Sequence, residues 1–306
     1  MIANTVLDLV GNTPLLNLGP LFPEMKAILY GKAEFLNPMG SVKERPALAM
    51  VEEAERTGRL RPGMTIVEPT SGNTGLGLSM VGAVKGYKVW ILVERDMAGA
   101  IARVARALGA QTILTENFNE AVRLAESIQK ENPDRYFLPQ QFTNPANPQI
   151  HVHTTAQEIF DDLGHNLCAF VHGYGSGGTF TGVARALKQL NPKIRCVLVE
   201  PDTLRRFSGG PVTGSQIHGI GPPFIPRNLD QELIDDTIAV SEEQGYEMVV
   251  KLARRCGVLC GPSSGAMVHA AARIAADYGS GDAVVTILPD RGDRYFGSDF
   301  FPETST

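Results

Sequence analysis

The chain has 306 residues, of which 43% are apolar and 20% charged, with a formal net charge of −5. That apolar fraction supplies buried cores and excludes a mainly disordered chain, and at roughly 150 residues per domain the length suggests two domains. The mild acidity argues against a dedicated nucleic-acid binder, and no apolar run reaches the roughly 18 residues of a membrane span. The first residues, MIANTVLDLVGNTP, lack the basic region and apolar core of a signal peptide. The expectation is a soluble cytoplasmic protein with neither a nucleic-acid nor a membrane partner.

In chain order, Thr65-Ile66-Val67-Glu68 reads as a strand that leads into a helix from about Gly72. Residues 89–93 form a second strand, and Ile101, Val104, Ala105 and Leu108 then repeat at helical spacing. Thr112-Ile113-Leu114 precedes a helix with Ala121, Val122, Leu124, Ala125 and Ile128 inward. The second half continues the theme. Residues 168–172 form a strand, Phe180, Val183, Ala184 and Leu187 a helical stripe, and 196–199 and 284–288 further buried strands. Continuous apolar strands alternating with helices indicate parallel sheets covered on both faces, hence an α/β fold class. The Asn- and Pro-rich stretch 143–148 interrupts the pattern and is the best candidate for a domain junction. Residues 202–228 form a long irregular segment, a length that usually signals a functional loop.

Four cysteines do not make a disulfide framework in a chain this long. Cys168 and Cys196 fall in apolar strand-like runs and read as small buried thiols, whereas Cys256 and Cys260 are spaced to share a helix face. His151 and His153 alternate as on a strand, which points them to opposite faces and away from a common metal. No metal is assigned.

Four segments carry the chemistry. Gly173-Tyr174-Gly175-Ser176-Gly177-Gly178-Thr179 joins a strand to a helix, where glycine backbone N–H groups and the helix N-terminus suit a phosphate. The segment also serves as a tight turn, and it lacks the Gly-Lys-Ser/Thr of a P-loop. Thr70-Ser71-Gly72-Asn73-Thr74-Gly75 opens another helix with more hydroxyl, amide and N–H groups than one cap needs, which suits a carboxylate. In Asn37-Pro38-Met39-Gly40-Ser41-Val42-Lys43-Glu44-Arg45-Pro46, Ser41 and Glu44 have capping-box spacing and put Lys43 in a first helical turn. Pro46 sits late for that register and argues for a start a few residues further on. Either way, the positive end of the helix dipole favours the neutral amine of Lys43. Gly261-Pro262-Ser263-Ser264-Gly265-Ala266 precedes an alanine-rich helix and by itself reads as an N-cap.

Together, and with Gly11-Asn12-Thr13-Pro14-Leu15, Gln141-Phe142 and the segment 289–295, these motifs resemble the cysteine synthase family of pyridoxal-phosphate enzymes, of the tryptophan-synthase-β fold type. The resemblance covers most of the chain. It implies two three-layer α/β domains with mostly parallel sheets. A smaller mobile domain would span 44–148, and a larger one, 1–43 with 149–306, would carry the phosphate loop. It implies pyridoxal 5'-phosphate as cofactor and Lys43 as the catalytic Schiff-base lysine. Gly175, Ser176, Gly177, Gly178 and Thr179 would hold the cofactor phosphate, Asn73 the ring hydroxyl, and Ser263 would face the pyridine nitrogen. The substrate carboxylate would be received by Thr70, Ser71, Gly72, Asn73, Thr74 and Gln141.

The implied reaction is replacement at Cβ of an activated L-serine through aminoacrylate, with O-acetyl-L-serine and sulfide giving L-cysteine and acetate. A serine at the pyridine nitrogen makes the ring a weaker electron sink than an aspartate would, which favours loss of a β leaving group. The resemblance also implies a homodimer and suggests a serine acetyltransferase as partner.

The chain departs from the family pattern in three places. It reads Met97-Ala98-Gly99-Ala100-Ile101-Ala102-Arg103 where Met-Ser-x-Glu-Arg is usual, carries Pro262 before Ser263, and has Thr155-Ala156-Gln157-Glu158 for Thr-Gly-Pro-Glu. These leave donor and nucleophile open. Arg205 and Arg206 would suit an O-phospho-L-serine donor, and His218 is a further candidate near the site. Cyanide, an amine or a thiol would use the same motifs as sulfide. A serine or threonine dehydratase, and a non-catalytic binding protein on the same fold, are the remaining readings.

Overall fold

The computed structural model describes residues 2–70, 72–95, 99–215 and 217–295, so Ser71, Met97 and Ala98 lie outside the described residues. The chain packs as two compact units, residues 1–10 with 37–147 and residues 11–36 with 148–306. In chain order, β1 (Leu15–Asn17) and β2 (Ile28–Lys32) belong to the larger unit. The smaller unit follows with α1 (Glu44–Arg56), β3 (Thr65–Pro69), α2 (Asn73–Lys85), β4 (Lys88–Glu94) and α3 (Ala100–Ala107). It ends with β5 (Gln111–Thr115), α4 (Phe118–Glu131) and β6 (Tyr136–Phe137). The short α5 (Ala146–Ile150) straddles the division. The larger unit resumes with α6 (Ala156–Leu163), β7 (Leu167–Gly173), α7 (Gly178–Leu190) and β8 (Arg195–Pro201). Then come β9 (Asp236–Val240), α8 (Glu242–Cys256), α9 (Pro262–Ala275) and β10 (Ala283–Ile287).

The smaller unit has a parallel sheet in the order β5-β4-β3-β6. Because neighbouring strand residues point to opposite faces, Ile66, Val89 and Ile91 pack with Ala47, Leu76 and Ala105 of α1, α2 and α3. Val67 and Leu92 pack on the other face with Ala121 and Ala125 of α4. The larger unit follows the same rule in a sheet ordered β1-β2-β10-β7-β8-β9, antiparallel only at β1–β2. Val171, Val197 and Val284 meet Val249, Leu252 and Met267 of α8 and α9. Phe170, Leu198 and Val285 meet Ile159, Phe180 and Val183 of α6 and α7. Each fully buried side chain of this kind contributes about 1.5–3 kcal/mol. Each unit is thus a three-layer α/β structure with a mostly parallel sheet, as the sequence leads one to expect. Among the described residues no helix is long and apolar enough to cross a membrane.

Several local expectations are corrected. Helix α1 begins at Glu44 itself, with Lys43 as its N-cap rather than within its first turn. Pro46 does not delay the start, because the first four N–H groups of a helix have no intrahelical acceptor for proline to lose. His151 and His153 do not alternate on a strand; they sit in a π-helical turn, His151–Thr155, between α5 and α6. Cys256 and Cys260 do not share a helix face, since Gly257 ends α8 in the left-handed conformation (φ 66°) and Cys260 pairs with Arg291 in an isolated bridge. Cys168 is also half-buried rather than buried, its Sγ facing Asp282.

Each sheet reverses its winding once, and the reversal opens a crevice at the carboxyl ends of the strands. In the smaller unit the chain runs outward from β3 to β4 and β5, then returns to the other side of β3 as β6. In the larger unit it runs from β7 to β8 and β9, then returns beside β7 as β10. The chemistry-bearing loops leave β3 and β7, at these two points.

Candidate active site

In the smaller unit, the loop after β3 carries Thr70, Gly72, Asn73 and Thr74, and the segment after β6 carries Gln141. The two meet where the winding reverses. Thr74 Oγ1 donates to Gln141 Oε1 at 2.7 Å, and both residues are buried. Gly72 is the N-cap of α2, its N–H donating to Thr70 Oγ1 at 3.2 Å. A thirteen-residue helix with hydroxyl and amide groups at its N-terminus has the chemistry to receive a carboxylate. Glu68, fully buried at the end of β3, accepts from Gln140 N at 3.0 Å and Gln141 N at 3.1 Å. Burial pushes its carboxyl up to about 7, against the opposing pull of those hydrogen bonds.

Lys43 is half-buried, its N–H donating to Ser41 Oγ at 3.3 Å, while the Glu44 carboxylate accepts from the Ser41 and Met39 N–H groups. Gly77 explains how α2 reaches this corner. A Cβ there would stand 2.9 Å from the Ala47 Cβ and 3.2 Å from the Lys43 carbonyl oxygen. Only a hydrogen at that position lets α2 cross α1 beside its lysine-bearing end.

In the larger unit, the loop after β7 brings Gly175, Ser176, Gly177, Gly178 and Thr179 to the N-terminus of α7. Gly177 is the N-cap at φ 81°, and a Cβ on it would meet Leu229 N at 2.6 Å. A Cβ on Gly175 would lie 2.8 Å from the Gly219 carbonyl oxygen, and one on Gly219 would lie 3.3 Å from Ser263 Oγ. Gly219 therefore stands between the glycine loop and the buried Ser263. A loop with no room for a Cβ at 175 or 177, backed by a helix N-terminus, fits a phosphate ester. The nearby serine fits a neutral hydrogen bond to a pyridine nitrogen.

Sequence reasoning missed His151 as a neighbour of this loop. Its buried ring lies 3.3 Å from Thr179 Oγ1 through Nε2 and 2.9 Å from Thr155 Oγ1 through Nδ1. No local pattern announces a π-turn, although such turns cluster at functional sites. Tyr174, inside the glycine loop, is fully buried against Phe207; burial and the Glu200 carboxylate push its hydroxyl up to about 12. Glu200 in turn accepts from the Phe207 and Ser208 N–H groups. Arg206 donates to the Pro223 carbonyl at 2.6 Å, and exposed His218 stands edge-on to Tyr295. Among the described residues, no group of three or more His, Cys, Asp or Glu side chains is placed to hold a metal ion.

A family model described as pyridoxal-phosphate dependent enzyme matches residues 6–290. The chain belongs to that family. Its cofactor is therefore pyridoxal phosphate, and the glycine cradle and Ser263 have the shape and polarity to accept it. A cysteine synthase of Staphylococcus aureus (strain Mu50 / ATCC 700699) is 41% identical over 302 residues, covering 97% of both chains. An O-acetyl serine sulfhydrylase isoform 3 structure from Entamoeba histolytica aligns with TM-score 0.94 at 35% identity, covering 100% of this chain and 94% of that one. An O-acetylserine-dependent cystathionine beta-synthase from Helicobacter pylori aligns with TM-score 0.90 at 38% identity, covering 99% and 100%.

Proposed function

We propose that this pyridoxal-phosphate enzyme replaces the β-substituent of an activated L-serine, converting O-acetyl-L-serine and sulfide to L-cysteine and acetate. The observation that carries the reading is the Thr74–Gln141 hydrogen bond at the N-terminus of α2, which suits the seating of an amino-acid carboxylate. Identity of 41% to a cysteine synthase over nearly the whole chain supports it.

When bound, pyridoxal phosphate supplies an aldehyde for the substrate amine and an electron sink for Cα. The chain's residues do the rest. Backbone N–H groups of the 175–179 loop and the Thr179 hydroxyl would hold the phosphate, Asn73 would bond the ring hydroxyl, and Ser263 would serve the ring nitrogen. Thr70, Ser71, Gly72, Thr74 and Gln141 bind the substrate carboxylate and so orient its Cα–H. Lys43 would hold the cofactor through its amine and, once that amine is free, would act as the general base that takes the substrate's Cα proton.

The H. pylori neighbour supports a second reading, with the same donor and a thiol in place of sulfide. A cytoplasmic homodimer, with serine acetyltransferase as partner, completes the proposal; the free state of all four cysteines suits a reducing compartment. The test is a spectral titration of the loaded enzyme with O-acetyl-L-serine and with O-phospho-L-serine, followed by sulfide, cyanide and thiols. A change with O-acetyl-L-serine that sulfide reverses fastest supports the main reading. A change with O-phospho-L-serine alone, or pyruvate release from unactivated serine, contradicts it.

A further inference from the structure

The carboxylate seat has an understructure that the proposed reaction does not use. Both oxygens of the Glu68 carboxylate are taken by consecutive backbone N–H groups, Gln140 N at 3.0 Å and Gln141 N at 3.1 Å. Two successive amides converge on one carboxylate because Gln140 is in the left-handed region, at φ 58°, one of two non-glycine residues with positive φ among the described residues. The rest of the turn is tied as firmly. Asn147 Nδ2 donates to the Gln141 carbonyl at 2.7 Å, and Asn144 Nδ2 donates to the Pro139 carbonyl at 2.8 Å. With its N–H and C=O both engaged, Gln141 keeps one backbone position, and its amide meets Thr74 Oγ1 at 2.7 Å.

We propose that Glu68 is a positioning residue for substrate recognition, fixing the strained Gln140–Gln141 turn so that Gln141 and Thr74 present a preformed carboxylate seat. The proposal rests on the assignment of that seat to the substrate carboxylate. A buried carboxylate otherwise costs stability, so its retention here needs a function. Gln140 has an exposed side chain, so its left-handed backbone serves no packing need of its own. Ordering the turn before substrate arrives removes that ordering from the cost of binding.

The test titrates loaded wild-type, E68Q, E68Q/Q140G and Q141A enzymes with O-acetyl-L-serine, and measures cofactor affinity and turnover at saturation. E68Q is expected to weaken substrate binding about tenfold, from one lost hydrogen bond and a loosened turn. Cofactor affinity and saturated turnover are expected to stay within about twofold of wild type. The added Q140G is expected to recover about threefold, since glycine adopts positive φ without strain. Unaltered substrate affinity in E68Q, an equal loss of cofactor affinity, or no recovery with Q140G overturns the role of Glu68. Unaltered affinity in Q141A overturns instead the carboxylate-seat assignment beneath it. Should E68Q fail to fold, amide exchange in the wild-type enzyme decides. Protection of the Gln140 and Gln141 amides before substrate is added supports the proposal, and exchange at the rate of exposed amides overturns it.

Discussion

Replacing Gly177 with alanine separates the phosphate cradle from an ordinary tight turn. The substitution has two costs. An L-residue held in the left-handed region loses about 1–2 kcal/mol. The new Cβ would also stand 2.6 Å from Leu229 N and 2.9 Å from Leu229 Cα, backbone atoms that cannot rotate away. Overpacking of that kind costs about 1–3 kcal/mol, for a total of about 2–5 kcal/mol. Gly257, in the same unit, isolates the first cost, with φ 66° and nothing within 4 Å of an added Cβ. Urea unfolding of G177A and G257A, with cofactor affinity measured in parallel, makes the comparison. G257A is expected to lose about 1 kcal/mol and to bind pyridoxal phosphate as wild type does. G177A is expected to lose at least twice as much and to bind the cofactor at least about tenfold more weakly. Equal stability losses with unaltered cofactor affinity in both would refute the cradle.

Other consequences follow from the buried charges. The Glu68 carboxyl is raised from 4.5 to about 7 by burial. The folded protein therefore keeps a proton across that window which the unfolded chain has lost, and this contribution to stability declines as pH rises from about 4.5 to 7, by about 3 kcal/mol. E68Q is expected to lack that decline in urea unfolding, and identical pH profiles of the two proteins would contradict the assignment. Lys32, 1% exposed, pairs with Glu158 at 2.7 Å and donates to the Thr13 carbonyl. Lys32→Met is expected to cost about 3 kcal/mol by leaving Glu158 without its cation, and Glu158→Met added to it should restore most of that loss. An unchanged unfolding midpoint in the single variant would contradict this.

Much of the fold was legible because it is written in local periodicity. Continuous runs such as 196–199 and 284–288 are apolar on both faces because helices cover both faces, so they read as parallel strands. The glycines at 175 and 177 were legible as loop chemistry, since a strand, a turn and a helix follow one another in sequence, whereas Ser263 by itself reads as part of an N-cap and its role is implied by the resemblance alone. What escaped depends on three-dimensional context. Pro46 looked like a barrier because its tolerance depends on where α1 starts, and that start depends on Ser41 and Glu44 closing around each other. His151 and His153 looked strand-like because two alternating polar residues fit any period, whereas the π-turn arises where α5 runs into α6. Gly182 marks that packing, since a Cβ there would lie 2.2 Å from the Pro148 carbonyl oxygen and 2.7 Å from the His151 Cβ. Glu68 gave no signal at all. Its two partners lie more than seventy residues further along the chain.

The most direct measurement is borohydride reduction of the pyridoxal-phosphate-loaded protein, followed by peptide mass spectrometry to find the lysine that carries the reduced cofactor. The account requires the label on Lys43, with none recovered from K43A. A label on any other lysine, the buried Lys32 included, would contradict it, because no base would then be joined to the cofactor from the start of α1.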